Sequence, residues 1–400
     1  MVRKFVSLED AIDILNRNIL PLDTEIISLM DSVNRTVKNN IYSKIDNPPF
    51  NKSAMDGYAI KASNLENTKL KIIDKVYAGS FSKKEIKDFE TIRIMTGAPI
   101  PLGANAVIKQ EDVIVEGEFI KLKKSLKENE NICFKGEDIK KDQLLIKANR
   151  KLNYADIGIL ASSGISEVKV YKKPRIAIIS TGDEVLDVIE ELTLGKIYNS
   201  NRYSIMARIK ELGYDVSLIK HVKDSKLEIS EELKDISSKV DLIITTGGVS
   251  VGEKDLINEA VNIAGGTRLF WKIKIKPGSA VLCSKLNKAL VISLSGNPTA
   301  ALTTFELLVK PSLEKLNGKE ELSIVREKAI LYDDINKKSL QRRFIRGHLV
   351  TNEKGQIVKI TQKKSGNGIL SSTLNSNCIV EIEEGSLGVK KGELVNIIRL

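Results

Sequence analysis

The residues best suited to chemistry lie between a predicted strand and a predicted helix, at Thr245–Asp255. Gly247 and Gly248, flanked by hydroxyl side chains, follow the apolar run Val240–Ile244, which is typical of a buried parallel strand. Glycine lets the backbone approach a ligand closely, and exposed N–H groups at such a turn can bind phosphate. Two acids end the segment, as a magnesium-assisted reaction of a phosphate would require. The alternative is an ordinary glycine-rich connection.

Two more turns of this kind end predicted strands. Ser180–Glu184 follows the strand Arg175–Ser180, and Ser295–Pro298 follows the strand Ala289–Leu294. In the second turn, Asn297 can cap a helix whose first turn accommodates the proline. Because the carboxyl ends of parallel strands meet at one edge of a sheet, we expect a shared crevice there for a phosphorylated or nucleotide-bearing ligand.

Three lysines alternate with isoleucines at Lys272, Lys274 and Lys276. On one strand they would share a face and form an edge that attracts anions. The alternative is an exposed strand face without function. Three polar segments, Asn51–Ala59 and those around Thr96 and Asp138, could each be plain turn chemistry when taken alone.

Composition excludes several classes of function. The net charge is +11, but the lysines are interspersed with acids and aromatic residues are only 5%, so nucleic-acid binding is not expected. The sequence has no bilayer-spanning apolar run and no signal peptide, which predicts a cytoplasmic protein without membrane contact. The three cysteines, Cys133, Cys283 and Cys378, lack zinc spacing and read as structural thiols. Only two histidines are present, so a histidine-rich metal site is excluded.

The pattern of elements predicts a multidomain α/β protein. Helix–strand alternation from Pro174 to Leu316 implies a doubly wound, mostly parallel sheet. A capped helix at Ser7–Leu15 opens the chain, and short strands dominate both the middle and the end. We therefore expect four domains. They are a linking, dimerising domain of helix and strands (1–46 and 140–172), a β-rich insertion (47–139), the α/β domain (173–317) and a small C-terminal β-barrel (318–400).

Eight segments occur in an order that resembles the molybdopterin molybdenumtransferase family, the MoeA family, which is related to the E domain of gephyrin. They are KSAMDGYA, RIMTGAPIP, KGEDI, STGDE, IYNSN, TTGGVSVGEKD, FWKIKIKPG and SGNP. The first and sixth segments are specific to that family and its close relatives. The tail, at Arg343–Gly347 and Gly366–Ser372, resembles the family's C-terminal barrel, so the resemblance covers nearly the whole chain.

The resemblance implies an elongated homodimer of four-domain subunits that inserts molybdate into adenylylated molybdopterin, with Mg²⁺-dependent release of AMP. The product is the molybdenum cofactor, and the molybdopterin adenylyltransferase is a candidate partner. The implied catalytic residues are Asp56, Thr96, Asp138, Glu184, Asp224 and Asp255. The expected substrate-binding residues are Thr181, Gly182, Gly247, Gly248, Ser250, Lys272, Lys276, Asn297, Pro298 and Ser371.

Carboxylates cannot bind two anionic substrates directly, but they can hold a cation that neutralises phosphate oxygens. We therefore expect Glu184 and Asp255 to hold Mg²⁺, and Lys272 and Lys276 to bind molybdate. Asp56 and Asp138 belong to another domain and would close the cleft. They could do so within one chain or across the dimer interface.

Two departures from the family pattern stand out. Ser295 replaces the usual first proline of its turn, which predicts an intact but less rigid loop. Cys133 and Phe134 stand where basic residues are common, and only Lys135 remains. A molybdopterin adenylyltransferase or a related nucleotide–pterin protein is the alternative, but it would resemble only the α/β domain. A non-enzymatic scaffold is a further alternative, disfavoured because the acids are retained.

Overall fold

The structure is a computed structural model that describes residues 3–62, 68–249, 256–353, 355–361 and 369–400. The chain divides into two compact units, one formed by residues 1–25 and 171–400 and the other by residues 26–170. Within the described ranges, no helix combines the length and the apolar character that crossing a bilayer requires.

Seven α-helices lie in the described residues. They are α1 (Leu8–Asn18), α2 (Tyr154–Ser162), α3 (Ser200–Glu211), α4 (Lys226–Ser237), α5 (Leu256–Ile263), α6 (Pro298–Thr304) and α7 (Lys310–Leu316). The opening helix begins as the sequence predicts, because the Ser7 hydroxyl accepts a hydrogen bond from the N–H of Asp10. Short 3₁₀ turns span Met30–Ser32, Gln110–Asp112 and Leu370–Thr373.

A seven-stranded sheet forms the centre of the first unit. Its strands, in spatial order, are Arg3–Val6, Thr267–Ile273, Val281–Leu286, Ala289–Leu294, Leu242–Thr246, Ile176–Thr181 and Val216–Val222. The last four strands run parallel to one another and are apolar along most of their length, as predicted. The doubly wound α/β region is thus confirmed.

The other half of this sheet adds one antiparallel strand to the mostly parallel arrangement that the sequence predicts. Val281–Leu286 pairs antiparallel with strands on both sides, so the sheet is mixed. A two-residue connection at Asn287 and Lys288 joins it to the next strand, and Asn287 has φ +52°. Asparagine tolerates this left-handed conformation better than most residues, which permits the tight reversal.

The helix that the sequence predicts after Asn297, which we expect to continue to Leu316, is divided in the structure. A π-helical turn at Phe305–Val309 separates α6 from α7. Pro311 follows within α7, and proline has no N–H to donate to the preceding turn. The turn places Glu306 in the interior, 5% exposed, where its carboxylate accepts hydrogen bonds of 2.7 and 3.3 Å from the guanidinium of Arg208 on α3.

The C-terminal residues form a closed five-stranded barrel. Its strands, in spatial order, are Arg342–Asn352, Gly355–Ile360, Glu327–Leu331, Leu394–Arg399 and Cys378–Ile382, and the last pairs back to the first. A short strand, Ile275–Lys276, adds to Arg342 and Arg343. The sequence predicts that the lysine-rich segment forms one strand, and this prediction is wrong. The segment bends at Lys274 between a sheet strand and a barrel strand.

The second unit is rich in short strands. Its six-stranded sheet contains, in spatial order, Ala106–Lys109, Gly57–Ile60, Glu90–Ile94, Lys69–Val76, Phe119–Leu122 and Val113–Glu116. Two small ladders pair Lys52–Ser53 with Ile132–Cys133 and Ile41–Tyr42 with Leu144–Ile146. The strands Thr24–Ser28 and Glu167–Tyr171 contain the limits of the two units. The four-domain division remains a prediction, because the compact units do not coincide with the expected domains: residues 1–25 of the expected linking domain belong to the first unit.

The buried carboxylate of Glu306 provides a test of this packing. Glu306→Ala leaves Arg208 without its buried partner, and we expect it to lower the free energy of unfolding by about 3–5 kcal/mol. The matched control is Glu211→Ala, which removes the same arginine's exposed partner at 2.9 Å and should cost less than about 1 kcal/mol. Urea unfolding can be followed by the fluorescence of Trp271, the single tryptophan, which lies in the seven-stranded sheet. Equal losses in the two variants would contradict the assignment.

Candidate functional site

Three turns at the carboxyl ends of adjacent parallel strands form one pocket. The strands are Ile176–Thr181, Leu242–Thr246 and Ala289–Leu294, which lie side by side in the sheet. The pocket is lined by Ser180, Thr181, Glu184, Val185, Ile197, Tyr198, Asn199, Ser200, Asn201, Thr246, Gly247, Gly296 and Pro298. The convergence expected from the sequence is present, and all of these residues belong to the first compact unit.

Glycine is required at the centre of this pocket. Gly247 has φ +91°, and a Cβ there would lie 2.5 Å from the carbonyl oxygen and 2.9 Å from the Oγ1 of Thr181. Gly248 has φ +65°, and its Cβ would lie 2.8 Å from the Cγ1 of Ile257. Gly182 has φ +130°, with the Oε2 of Glu184 only 2.8 Å from the same position. Gly247 and Gly248 therefore let their turn approach Thr181 of the neighbouring turn closely, and Gly182 makes room for Glu184 within its own turn.

Acidic side chains gather at the same edge of the sheet. Asp224 follows the neighbouring strand, and its N–H donates to the Oδ1 of Asp183 at 3.4 Å. Partial burial, followed by the negative charges of Glu184 and Asp183, raises the pKa of Asp224. Glu184 and Asp183 thus lie close enough to Asp224 to raise its pKa, whereas the sequence paired Glu184 with Asp255 and left Asp183 out of the expected site residues. A cation beside these carboxylates would relieve their mutual repulsion.

Not every predicted residue can be placed. Ser250 and Asp255 lie outside the described residues. In the part of the chain that is described, no group of three or more His, Cys, Asp or Glu side chains is arranged to hold a metal ion. A magnesium site here would therefore need oxygen atoms of the substrate in addition to carboxylates, an arrangement common for Mg²⁺ bound to phosphates.

The beginning of α3 contributes to the pocket and was missed as a site. Asn199 caps the helix by accepting a hydrogen bond of 3.1 Å from the N–H of Arg202. The guanidinium of Arg202 pairs with Asp187, whose pKa it lowers to about 2 with help from the hydroxyl of Tyr203. The IYNSN segment, which ends at Asn201, was the available signal. Asparagine and serine are also common at helix N-termini, so their presence there did not by itself indicate a site.

The turn at Ser295–Pro298 is intact, as expected, and contains two side-chain hydrogen bonds. The Ser295 hydroxyl accepts a hydrogen bond of 3.2 Å from the N–H of Asn297, and this supplies a restraint where the family often has proline. Asn297 caps α6, as predicted, with its side-chain oxygen 3.5 Å from the N–H of Ala300. The expectation of a looser turn did not include this hydroxyl contact.

The lysines and Ser371 have less regular surroundings than predicted. Lys272 adopts a left-handed φ of +67°, and its ammonium lies 4.1 Å from the ring centroid of Trp271. Lys276 is exposed on the short strand that joins the barrel. Ser371 is exposed on a 3₁₀ turn, close to Ile369, whose carbonyl accepts a hydrogen bond of 3.4 Å from Thr299 on α6. The two lysines therefore do not share one strand face.

In the second unit, Asp56 and Thr96 form a pair. The Oδ1 of Asp56 accepts hydrogen bonds from the N–H of Thr96 at 2.7 Å and from its hydroxyl at 2.8 Å. The N–H contact first, and then the hydroxyl, lower the pKa of this exposed carboxyl. Gly57 beside it is structural, since a Cβ there would lie 1.8 Å from the carbonyl oxygen of Ile108.

Asp138 lies in a separate turn of the same unit, where its Oδ2 accepts a hydrogen bond of 3.3 Å from the side chain of Asn47. Lys135, the basic residue that remains beside Cys133 and Phe134, has its ammonium 3.5 Å from Asp46. The missing basic residues are therefore not replaced by an unpaired lysine at this position.

The buried thiols behave as structural residues. Burial raises the pKa of the Cys378 thiol to about 11 and raises that of the Cys283 thiol well above its ordinary value, so both remain protonated at neutral pH. Cys133 is a partly exposed free cysteine.

Gly247→Ala tests the close approach of the turns. Gly213→Ala is the matched control, because Gly213 has a similar φ of +87° but nothing within 4 Å of its Cβ position. The control should lose about 1–2 kcal/mol of stability from the left-handed backbone alone. Gly247→Ala should lose more, because its Cβ also meets the backbone of Thr181. Thermal unfolding of both variants provides the comparison, and a loss at Gly247 no larger than at Gly213 would contradict the steric role.

Comparison with known proteins finds related sequences over nearly the whole chain. Three family models match in order: the MoeA N-terminal region (domain I and II) over residues 6–164, the probable molybdopterin binding domain over 177–315, and the MoeA C-terminal region (domain IV) over 328–400. The match beyond 177–315 disfavours the alternative of a protein that resembles only the α/β region.

Relatives and solved structures agree with these models. The chain is 37% identical to the molybdopterin molybdenumtransferase of Staphylococcus aureus strain COL, covering 93% of this chain and 90% of the relative. It is 36% identical to that of Haemophilus influenzae, covering 94% of each. A crystal structure of the molybdopterin biosynthesis MoeA protein from Pyrococcus horikoshii OT3 superposes with a TM-score of 0.82 at 33% identity, covering 99% of this chain and 100% of that one. The chain belongs to the molybdopterin molybdenumtransferase (MoeA) family.

Proposed function

We propose that this chain inserts molybdenum from molybdate into adenylylated molybdopterin, with Mg²⁺-dependent release of AMP. Membership of the family makes it a transferase of molybdenum cofactor biosynthesis. The proposal adds the adenylylated form of the substrate, the leaving group and the cation. The observation that carries it is the pocket at the three strand ends, where glycine turns suited to phosphate lie beside carboxylates suited to a cation.

Each part of the pocket has a chemical role in this proposal. The turn at Gly247 and Gly248 accepts a phosphate of the substrate, because the absence of Cβ atoms lets it reach the backbone N–H groups. Thr181 borders the same space, as does Pro298, the first residue of α6, whose N-cap is Asn297. Binding there orients the phosphoanhydride, which is where much of the catalysis of phosphoryl chemistry originates.

The carboxylates fit a magnesium ion. Glu184 and Asp255 would hold it, with Asp224 beside Glu184, and the ion would neutralise phosphate charge when it is bound. Partial burial is the first cause of the raised pKa of Asp224, and the negative charges of Glu184 and Asp183 come next; a cation would offset those charges, which supports this choice. The protein's own contribution is to keep Glu184 and Asp224 close together before the substrate arrives.

Lys272 and Lys276 remain the proposed contacts of molybdate. The ammonium of Lys272 lies over the ring of Trp271 and Lys276 is exposed, and a lysine ammonium attracts an anion such as molybdate. Asp56, Thr96 and Asp138 remain the proposed contribution of the second unit. Hydrogen bonds from Thr96 hold the carboxylate of Asp56 in a defined position, and a hydrogen bond from Asn47 does the same for Asp138.

Release of AMP tests the reaction directly. Purified protein mixed with adenylylated molybdopterin should release AMP when both Mg²⁺ and molybdate are present. Chelation of the divalent cation should abolish release, and added Mg²⁺ should restore it. Release that is indifferent to Mg²⁺ would refute the proposed role of the cation.

The acids can be tested one at a time. Asp255→Asn and Glu184→Gln keep the shape of each side chain but remove the charge that a cation requires. We expect each variant to fold and to lose AMP release by roughly 10²-fold or more, in keeping with the loss of a group that acts in the transition state. Glu191→Gln, an exposed acid of the nearby loop, is the control and should retain full activity. Near-normal turnover of Asp255→Asn at saturating Mg²⁺ would contradict its role.

The homodimer and a site shared between subunits are also proposed, and complementation tests both. If Asp56 of one subunit serves the site that contains Asp255 of the other, a heterodimer of Asp56→Ala and Asp255→Ala has one doubly defective site and one intact site. Such heterodimers should regain up to about half of the wild-type activity under two-fold symmetry. Isolated heterodimers that stay as inactive as either parent would indicate that each site is built within one chain.

A further inference from the structure

Asn201 has an unusual position at the edge of the pocket. It is the second residue of α3, it lines the pocket, and only 9% of its surface is exposed. Its side-chain amide donates a hydrogen bond of 2.8 Å from Nδ2 to the carbonyl oxygen of Gly296, in the turn after the strand Ala289–Leu294. The side chain therefore joins the start of a helix to one of the three turns that form the pocket.

The hydrogen bond to Gly296 fixes the orientation of the amide. A carbonyl oxygen can only accept, so the NH₂ group must face Gly296 and the Oδ1 must point elsewhere. This Oδ1 is buried and has no hydrogen-bond partner among the residues that the structure describes. Asn201 thus presents a fixed, unsatisfied acceptor.

Asparagines elsewhere in the same unit show what a purely structural role looks like. The side chain of Asn377 accepts from the N–H of Leu349 at 2.7 Å and donates to its carbonyl at 3.0 Å. Asn16 does the same with Leu322, at 2.7 and 3.3 Å. Both of these side chains use both ends on the backbone, whereas Asn201 uses only its donor.

A second buried group in the pocket has the same property. The hydroxyl of Thr181, a residue 3% exposed, has no partner for its Oγ1 in the described part of the chain. Buried polar atoms nearly always have a hydrogen-bond partner, because a buried polar atom without one lowers the stability of the fold. Thr181 and Asn201 both line the pocket, and each has one such buried atom, so a bound molecule that reaches these atoms would complete their hydrogen bonds.

The chemistry of the amide oxygen selects the kind of group it binds. It can only accept, so it would repel phosphate or molybdate oxygens and attract an N–H or O–H donor. We propose that Asn201 is a specificity-determining residue, whose Oδ1 accepts a hydrogen bond from a neutral donor group of the substrate. The inference rests on the proposed function, because adenylylated molybdopterin carries such donors in its nucleoside and in its pterin. Asn201 would then recognise an uncharged part of the substrate, next to the turns that receive its phosphate.

Ligand analogues test this without any change to the protein. AMP is compared by calorimetry with purine riboside 5′-monophosphate, which lacks the amino group, and with the 2′-deoxy and 3′-deoxy nucleotides. Pterin is compared with 4-hydroxypteridine, which lacks the 2-amino group. Removal of the one donor that Asn201 binds should weaken binding to wild-type protein roughly tenfold, the usual effect of one hydrogen bond. The analogue that loses affinity identifies the nucleoside or the pterin as the source.

The variant Asn201→Ala provides the complementary test, in which the protein is changed instead of the ligand. It should bind the parent ligand roughly tenfold more weakly and should no longer distinguish that ligand from its analogue, because the partner of the donor is gone. Affinity for inorganic phosphate should not fall. Asn377→Ala, in the barrel, is the control that loses stability but keeps the wild-type ligand preferences.

Three results would overturn the inference. They are wild-type protein that binds every analogue as tightly as its parent, an Asn201→Ala variant that still discriminates, and the absence of binding by both AMP and pterin at millimolar concentration. The proposed reaction is judged separately by AMP release. A protein that binds and discriminates but releases no AMP would refute the reaction while leaving the role of Asn201 intact.

Discussion

The candidate site depends on the parallel alignment of three neighbouring strands. Since Ile176–Thr181, Leu242–Thr246 and Ala289–Leu294 run in the same direction, their carboxyl ends lie at one edge of the sheet. Each strand ends in a turn whose glycine or hydroxyl residues can approach the next turn. If one strand were reversed, its turn would lie at the opposite edge and the pocket would lose one of its walls.

The turns are held by contacts of very different strength. Buried apolar side chains fix the strands, and a hydrogen bond from Asn201 to Gly296 connects the start of α3 to one turn. Deeper in the unit, Glu306 and Arg208 form an ion pair between the π-helical turn and α3. The same α3 helix therefore contributes to the pocket at its first residues and to a buried charge pair near its end. Its position cannot change without affecting both.

Much of this fold could be predicted because the signals are local. Apolar runs such as Val240–Ile244 and caps such as Ser7 depend on a few consecutive residues, and the structure contains the strand and the helix that they indicate. The strand Arg3–Val6 was missed, because a short, largely polar segment forms a strand only when a distant partner is available. The break at Lys274 was missed for a similar reason. Its second half pairs with the barrel, which no pattern near the lysines could reveal.

The site shows the same division. Acids and glycines in the strand-end turns were found from their types and spacing, and Glu184 and Gly247 do line one pocket. Asn201 was missed as a site residue because its sequence context is that of a helix cap. Its distinguishing property, one satisfied atom and one unsatisfied atom, exists only after Gly296 is placed beside it. The location of Ser250 and Asp255 remains a prediction.

The interrupted layout of the first unit has a consequence for synthesis on the ribosome. Its sheet begins with Arg3–Val6, whose neighbour Thr267–Ile273 is translated more than two hundred residues later, while residues 26–170 form a unit of their own. Domains generally fold as units as they emerge. The second unit can thus complete its core before the sheet of the first unit has been synthesised. Until then α1 has no core to pack against, although its Leu8, Ala11 and Leu15 are buried in the folded protein. During that interval the nascent chain exposes an apolar helix face, which makes the N-terminal segment the part most in need of a chaperone.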